Sequence, residues 1–148
     1  VFFTKTVLPT FLKQKSGRVV FVSSVAGLLG TQYRASYSTA KAAIHMWANS
    51  LRAEVSKAGA EVSVVFPGFV KTNVSFNALN GEGKPQGHQD EAIENGLDAD
   101  VFAQRVVEAL MAGEEYVVVG GKKEQLGVLV SRLSPSLLYK MIRKTKVK

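Results

Sequence analysis

Three short, valine-rich apolar segments constrain the fold of this chain more than any other feature. They span Arg18–Ser23, Glu61–Phe66 and Glu115–Val119. Each is a continuous apolar run rather than an alternating one, which is typical of strands covered on both faces in a parallel sheet. Right-handed crossovers between such strands would lay them side by side. The sequence therefore predicts an α/β fold built on a parallel sheet.

Helical segments separate the three runs. Residues 35–58 carry apolar side chains at helical spacing, and a glycine follows as a stop signal. Asp98 can cap a helix that runs to about residue 112, just before the third strand. An opening helix is predicted over residues 2–15, and Pro9 is expected to kink or restart it. The resulting alternation of helix and strand is that of an α/β domain.

Charge is distributed unevenly along the chain. The net charge is +7, yet residues 122–148 hold eight bases and one acid, so residues 1–121 hold 11 of each. A neutral folded part argues against a nucleic-acid partner. The chain has no cysteine, which excludes disulfides and thiolate chemistry, and no His, Asp or Glu cluster has metal-ligand spacing, so we predict no metal.

Two further segments differ from the α/β pattern. Residues 73–97 are polar and too long for a plain connection, which predicts a lid. Residues 122–148 form a basic amphipathic tail after a domain of residues 1–121, and the tail either lies on an anionic membrane surface or packs on the domain with a solvated basic end. The sequence contains no apolar run of about 18 residues, so no membrane span is predicted. The chain starts with Val-Phe-Phe and shows no signal peptide, which suggests the inside of a longer protein.

Chemically useful side chains are predicted to meet at one edge of the sheet. Tyr37 and Lys41 lie four residues apart on one helix face, where an ammonium group favours the phenolate form and so general acid–base chemistry. Ser24 follows the first strand and Pro67-Gly68 follows the second, and ligands bind beyond the carboxyl ends of parallel strands. Taken alone, the Tyr–Lys pair is equally consistent with a lysine that extends past a half-buried tyrosine.

The combined motif resembles the short-chain dehydrogenase/reductase family. Ser24 is followed thirteen residues later by Tyr37, then by Lys41 and by PGxVxT at residues 67–72. The strings VVFVSSVAG, YSTAKAAIHMWANSLRAEV and VSVVFPGFVKT also resemble the carboxyl-terminal half of that family, over about residues 1–120. The resemblance implies part of a Rossmann-type doubly wound parallel sheet. The family's TGxxxGxG turn, NNAG stretch and catalytic Asn would precede Val1, so this chain alone is expected to be inactive and to have an unpaired sheet edge.

The resemblance also implies roles for individual residues. Ser24 would polarise the substrate oxygen, Tyr37 would pass a proton to or from it, and Lys41 would support the phenolate and bond the nicotinamide ribose. The nicotinamide end of NAD(P)(H) would be lined by Pro67, Gly68, Val70 and Thr72. Ser23 is expected only to pack at the end of the strand. Thr72 has an alternative role, which is to cap the segment that follows it.

A looser resemblance, carried by TNVSFNALNGEGKPQG and SRLSPSLLYKMI, indicates a branch that acts on lipid- or steroid-like compounds. It implies NADP(H) rather than NAD(H) and a lipid-like secondary alcohol or carbonyl, and it leaves open both a cytoplasmic location and membrane association of endoplasmic-reticulum type. The family resemblance implies a homo-oligomer formed through the helices at residues 1–15 and 35–58. His45, one turn after Lys41, is expected to serve in helix packing or at such an interface rather than in catalysis. The competing hypothesis is a truncated or non-catalytic module that acts through its tail on membranes or protein partners.

Overall fold

The computed structural model describes residues 1–144 and contains one three-stranded parallel sheet. Its strands are β1 (Arg18–Val22), β2 (Glu61–Pro67) and β3 (Tyr116–Val119), in the order β1-β2-β3. In the register, Phe21 lies beside Val64 of β2, and Val64 lies beside Tyr116 of β3. The predicted parallel strands and their side-by-side order are confirmed.

Helices connect and follow the strands. They are α1 (Phe2–Gln14), α2 (Ala35–Val55), α3 (Glu91–Glu94), α4 (Ala99–Met111), α5 (Lys122–Leu133) and α6 (Pro135–Lys144). The three predicted helices are confirmed to within three residues at each end. Pro9, however, does not restart α1, which is continuous through it. Leu8 and Phe11 on either side of Pro9 pack against the core, so packing outweighs the single hydrogen bond that proline removes.

The sheet is covered on both faces, which explains its continuous valine runs. Val64 and its neighbour Val65 on β2 point to opposite faces, and both are buried. Val64 packs in a cluster with α2, and Val65 packs in a second cluster against Phe102 and Val106 of α4. By contrast, Val20 and Val22 on the outer strand β1 are exposed, because the cluster that α4 forms contains residues of β2 and β3 but none of β1.

The tail consists of two helices that separate at Ser134, just before Pro135. Val128 of α5 belongs to the main core cluster, and Leu138 of α6 is buried. Gln32 donates from its side-chain amide to the Ile142 carbonyl at 3.3 Å, which ties α6 to the loop before α2. The division at residue 121 stays a prediction, and residues 145–148 of the predicted tail lie outside the described residues. None of the helices in the described part is long and apolar enough to cross a bilayer.

Residues 73–97, predicted as a lid, form turns, the short helix α3 and an isolated bridge between Leu79 and Pro85. The Ser75 hydroxyl is buried, donates to Gln89 Oε1 at 2.5 Å and accepts from the Asp90 amide at 3.0 Å. These bonds join the two ends of the segment. Its function as a lid stays a prediction.

Candidate functional site

Ser24 links the carboxyl ends of β1 and β2. Its backbone is extended, and its Oγ accepts a hydrogen bond from the Ala26 amide at 3.1 Å, which caps the 3₁₀ turn Val25–Gly27. The same hydroxyl lies 3.4 Å from the Pro67 carbonyl oxygen, to which it donates. The hydroxyl predicted to bind a substrate oxygen is therefore held at the edge of the sheet.

Lys41 lies between the end of β1 and the ring of Tyr37. Its Nζ donates to the Val22 carbonyl at 3.2 Å and is 5.7 Å from the centroid of the Tyr37 ring. The tyrosine is 44% exposed. The bond to Val22 fixes the position of the ammonium group, while the phenol stays accessible to a ligand.

Two small residues fix α2 against the loop that follows β1. Ser23 is buried, and its Oγ donates to the Lys41 carbonyl at 2.8 Å, in agreement with the packing role predicted for it. A Cβ added at Gly27 would lie 2.8 Å from the Lys41 carbonyl carbon. Sequence reasoning missed Gly27 and the Val22 carbonyl. The type of a side chain does not reveal which glycine lies close to another backbone, or which carbonyl accepts a hydrogen bond.

The contact at Gly27 predicts that Gly27→Ala destabilises the chain and displaces Lys41. An added methyl group here meets helix backbone rather than a flexible side chain, so we expect a loss of about 1–3 kcal/mol in the free energy of unfolding. Gly30→Ala is the matched control in the same loop, because a Cβ there would meet nothing within 4 Å. Urea unfolding of both variants measures the difference. Equal stability of the two variants would contradict the close approach.

The segment after β2 carries the other predicted residues. Val70 forms a parallel bridge with Leu97, and the backbone bonds on either side measure 2.8 Å from Lys71 N to Leu97 O and 2.9 Å from Leu97 N to Phe69 O. The Gln89 side-chain amide donates to the Thr72 carbonyl at 2.6 Å. The end of the 73–97 segment therefore holds these residues at the sheet edge.

Gly68 is held from the other side by the end of β3 and the start of α5. A Cβ on Gly68 would lie 3.0 Å from Gly120 Cα and 3.2 Å from the Glu124 carboxylate. That carboxylate also accepts from the Phe69 amide at 3.4 Å. Gly120 and Glu124 were missed in the sequence, where the pair Gly120-Gly121 is consistent with an ordinary turn.

The structure thus brings the predicted residues together in two pairs and a segment. Ser24 contacts Pro67, and Lys41 lies beside Tyr37. The backbone of Val70 and Thr72 is tied to Leu97 and Gln89 instead. Both pairs belong to the carboxyl edge of the sheet, where the sequence predicts them.

His45, one turn after Lys41 on α2, packs among aromatic rings. Its ring meets Phe66 edge-on at 5.0 Å and Tyr116 at 5.8 Å between centroids, and its Nε2 is 3.0 Å from the Asn49 side-chain nitrogen. Burial, followed by the charges of Arg52 and Arg132, lowers the pKa of His45 below 6.5. The packing role predicted for His45 agrees with these contacts.

This lowered pKa predicts a loss of stability in mild acid. Because the unfolded chain takes up a proton on His45 near pH 6.5 and the folded chain only at lower pH, the free energy of unfolding should fall as the pH drops below about 6.5. Thermal melts between about pH 7.5 and 5 measure this slope. His45→Gln should flatten it, whereas His88→Gln, in the exposed part of segment 73–97, should keep it. An unchanged slope in His45→Gln would contradict the assignment.

Comparisons with known proteins identify the family of the chain. The family model for short chain dehydrogenases matches residues 1–82. A Drosophila melanogaster protein, "Dehydrogenase/reductase SDR family protein 7-like", is 37% identical over 145 residues, which are 98% of this chain and 44% of that protein. "Dehydrogenase/reductase SDR family member 7B" of Xenopus laevis is 35% identical over 98% of this chain and 46% of its own length. The chain therefore spans less than half the length of these relatives.

Solved structures show the same fold. A short chain dehydrogenase from Burkholderia cenocepacia in complex with NADP has a TM-score of 0.75 and 21% identity, covering 97% of this chain and 53% of its own. A short-chain dehydrogenase from Streptomyces avermitilis has a TM-score of 0.69 and 27% identity, covering 97% of this chain and 57% of its own. With the parallel sheet and the family match over residues 1–82, these findings show that the chain belongs to the short-chain dehydrogenase/reductase family.

Proposed function

We propose that this chain supplies the catalytic half of an NAD(P)-dependent oxidoreductase that interconverts a secondary alcohol and a carbonyl compound. The observation that carries the proposal is the position of Lys41, bonded to the Val22 carbonyl at 3.2 Å and 5.7 Å from the Tyr37 ring. A cation held beside an accessible phenol at a sheet edge favours proton transfer by that phenol.

Each side chain then has a defined task. Tyr37 gives a proton to the carbonyl oxygen during reduction and removes it during oxidation. Ser24 donates to the same oxygen, exchanging its bond to Pro67 for one to the substrate. Lys41 stabilises the phenolate that remains on Tyr37.

The residues at this edge fit the nicotinamide end of a cofactor. The Tyr37 phenol and the Lys41 ammonium provide two neighbouring donors, and the approach of Gly68 to Gly120 leaves no room for a larger side chain there. Lys41 would bond the ribose, and the segment holding Pro67, Gly68, Val70 and Thr72 would line the ring. When bound, the cofactor supplies or accepts the hydride.

For the cofactor we propose NADP(H) rather than NAD(H), and for the substrate a lipid-like compound. The branch resemblance supports both. The structure adds support for an apolar substrate, since large apolar side chains are exposed in and beside the start of segment 73–97. These are Phe69, Val74, Phe76 and Leu79.

We also propose a homo-oligomer formed through the helices at residues 1–15 and 35–58. A groove of about 310 Å³ lies between α1 and α2, with Leu8 and Trp47 in its lining. Met46 on α2 and Phe3 on α1 are exposed apolar side chains. Sedimentation equilibrium should give a dimer or tetramer, and Met46→Glu should shift it toward the monomer; a monomer at all concentrations would contradict the interface.

The function is tested by titrating NADPH and NADH while following nicotinamide fluorescence. Two proteins are compared: this chain alone, and a chimera that joins the amino-terminal half of the Drosophila relative to residues 1–148. Saturable binding and carbonyl-dependent oxidation of NADPH by the chimera are expected. A folded chimera that binds neither cofactor would contradict the proposal, and one that binds without turnover would favour the non-catalytic module.

A further inference from the structure

A stripe of exposed leucines lies along α5. Leu126, Leu129 and Leu133 follow at spacings of three and four residues, so they share one face of the helix. Gly127 and Val128 on the opposite side are buried against the domain. In the part of the chain that the structure describes, nothing buries this leucine face, and Leu133 is 75% exposed.

Basic side chains surround these leucines. Helices α5 and α6 carry six exposed bases, but the Arg132 guanidinium stacks on the Tyr116 ring at 4.3 Å and so lies against the domain. The other five are Lys122, Lys123, Lys140, Arg143 and Lys144. The one acid in the two helices, Glu124, faces the domain and accepts from the Phe69 amide. The outward charge of the two helices is therefore positive and uncompensated.

Helix α6 adds a second amphipathic element beside the first. Leu137 and Tyr139 are exposed, while Leu138 anchors the helix by its burial. Lys140 lies three residues after Leu137, and Lys144 lies four residues after Lys140, so apolar and basic groups share a face. Val128 of α5 packs in the main core cluster, and the Gln32 side-chain amide bonds the Ile142 carbonyl of α6. Both helices are therefore held on the domain, and this surface exists in the folded chain.

We propose that the α5–α6 surface, defined by these exposed leucines and the five bases other than Arg132, docks on an anionic lipid surface. The leucines would enter the boundary between head groups and acyl chains, and the bases would pair with lipid phosphates and carboxylates. A second copy of the chain fits less well, because a two-fold contact would place the same basic surface against itself. The proposal goes beyond the oxidoreductase function and does not depend on it.

Cosedimentation of the 148-residue chain with lipid vesicles tests this docking. We expect binding to phosphatidylcholine vesicles that contain about one-third phosphatidylserine to be at least about tenfold stronger than binding to phosphatidylcholine alone. Raising the salt from about 0.1 to 0.5 M should remove most of the difference. Equal binding to the two kinds of vesicle, or no binding to either, would overturn the proposal.

Matched variants then locate the surface. Leu133→Ser should weaken binding several-fold, whereas Met111→Ser, at an apolar side chain 83% exposed at the end of α4, should leave it unchanged. Lys140→Glu with Lys144→Glu should weaken binding at least about tenfold, and Lys13→Glu with Lys57→Glu, at exposed lysines elsewhere, should change it far less. If tail and control variants behave alike, the surface is wrong.

Circular dichroism and a thermal melt establish that each variant is folded, and the salt and lipid arms on the unaltered chain need no variant. Sizing of the chain without lipid identifies the other occupant. If the chain self-associates and Leu133→Ser makes it monomeric without affecting vesicle binding, the surface is an interface between copies and the proposal fails.

Discussion

Replacing Tyr37 with Phe in the chimera should lower carbonyl reduction by about 10²–10⁴-fold, while the affinity for NADPH should fall by no more than about tenfold, the effect of losing one hydrogen-bond donor. The substitution removes only the hydroxyl that transfers the proton. It keeps the ring beside Lys41 and does not touch the bond from Lys41 to Val22. Initial rates with a panel of long-chain and steroid-like ketones, and fluorescence titration of the cofactor, separate the two effects.

Tyr139→Phe is the control for this experiment. It makes the same chemical change at an exposed tyrosine on α6, outside the sheet edge, and should leave both rate and affinity unchanged. If Tyr37→Phe retains activity, Tyr37 is not the proton donor. If it loses cofactor binding as well, the loss of rate is not evidence for proton transfer.

The second large effect is expected in the core. Phe66 is fully buried on β2, edge-on to His45 at 5.0 Å and 4.4 Å from the ring centroid of Tyr116. Phe66→Ala removes these ring contacts and leaves a cavity under α2, so the free energy of unfolding should fall by about 3–5 kcal/mol. Since whole domains are stable by only about 5–15 kcal/mol, this loss would remove a large share of the stability of the chain.

Met111→Ala provides the comparison, because Met111 is 83% exposed at the end of α4 and alanine is the better helix former. It should change stability by less than about 0.5 kcal/mol. Urea unfolding, followed by far-UV circular dichroism, measures both variants. A small effect of Phe66→Ala would mean that β2 is not the centre of the core.

The sequence allowed the sheet to be predicted because a continuous valine run in a buried parallel strand has few alternatives. Both ends of each strand lie within one residue of the predicted segment; the strands are Arg18–Val22, Glu61–Pro67 and Tyr116–Val119. The Tyr37–Lys41 pair was equally accessible, since i and i+4 positions of a helix are neighbours in every helix. Local rules of this kind need no knowledge of tertiary structure.

The remaining features depend on tertiary contacts that residue types do not encode. Gly27 and Gly30 lie three residues apart in the same loop, yet only Gly27 abuts the backbone of α2. Helical spacing identified leucines in the tail but not which of them pack, and the structure buries Leu138 while leaving Leu133 exposed. Glu124, in a basic segment, is turned toward Phe69, which no local pattern predicts.

The most direct test of the central claim is transfer of label from NADPH that carries deuterium at both positions of carbon 4 of the nicotinamide. The chimera is incubated with the cofactor and the ketone panel, and the alcohol products are examined by mass spectrometry. The account predicts deuterium on the carbinol carbon of the product in the chimera and its loss, with turnover, in Tyr37→Phe. Alcohol formed without deuterium, or no alcohol from a folded chimera that binds NADPH, would contradict the assignment of an oxidoreductase to this chain.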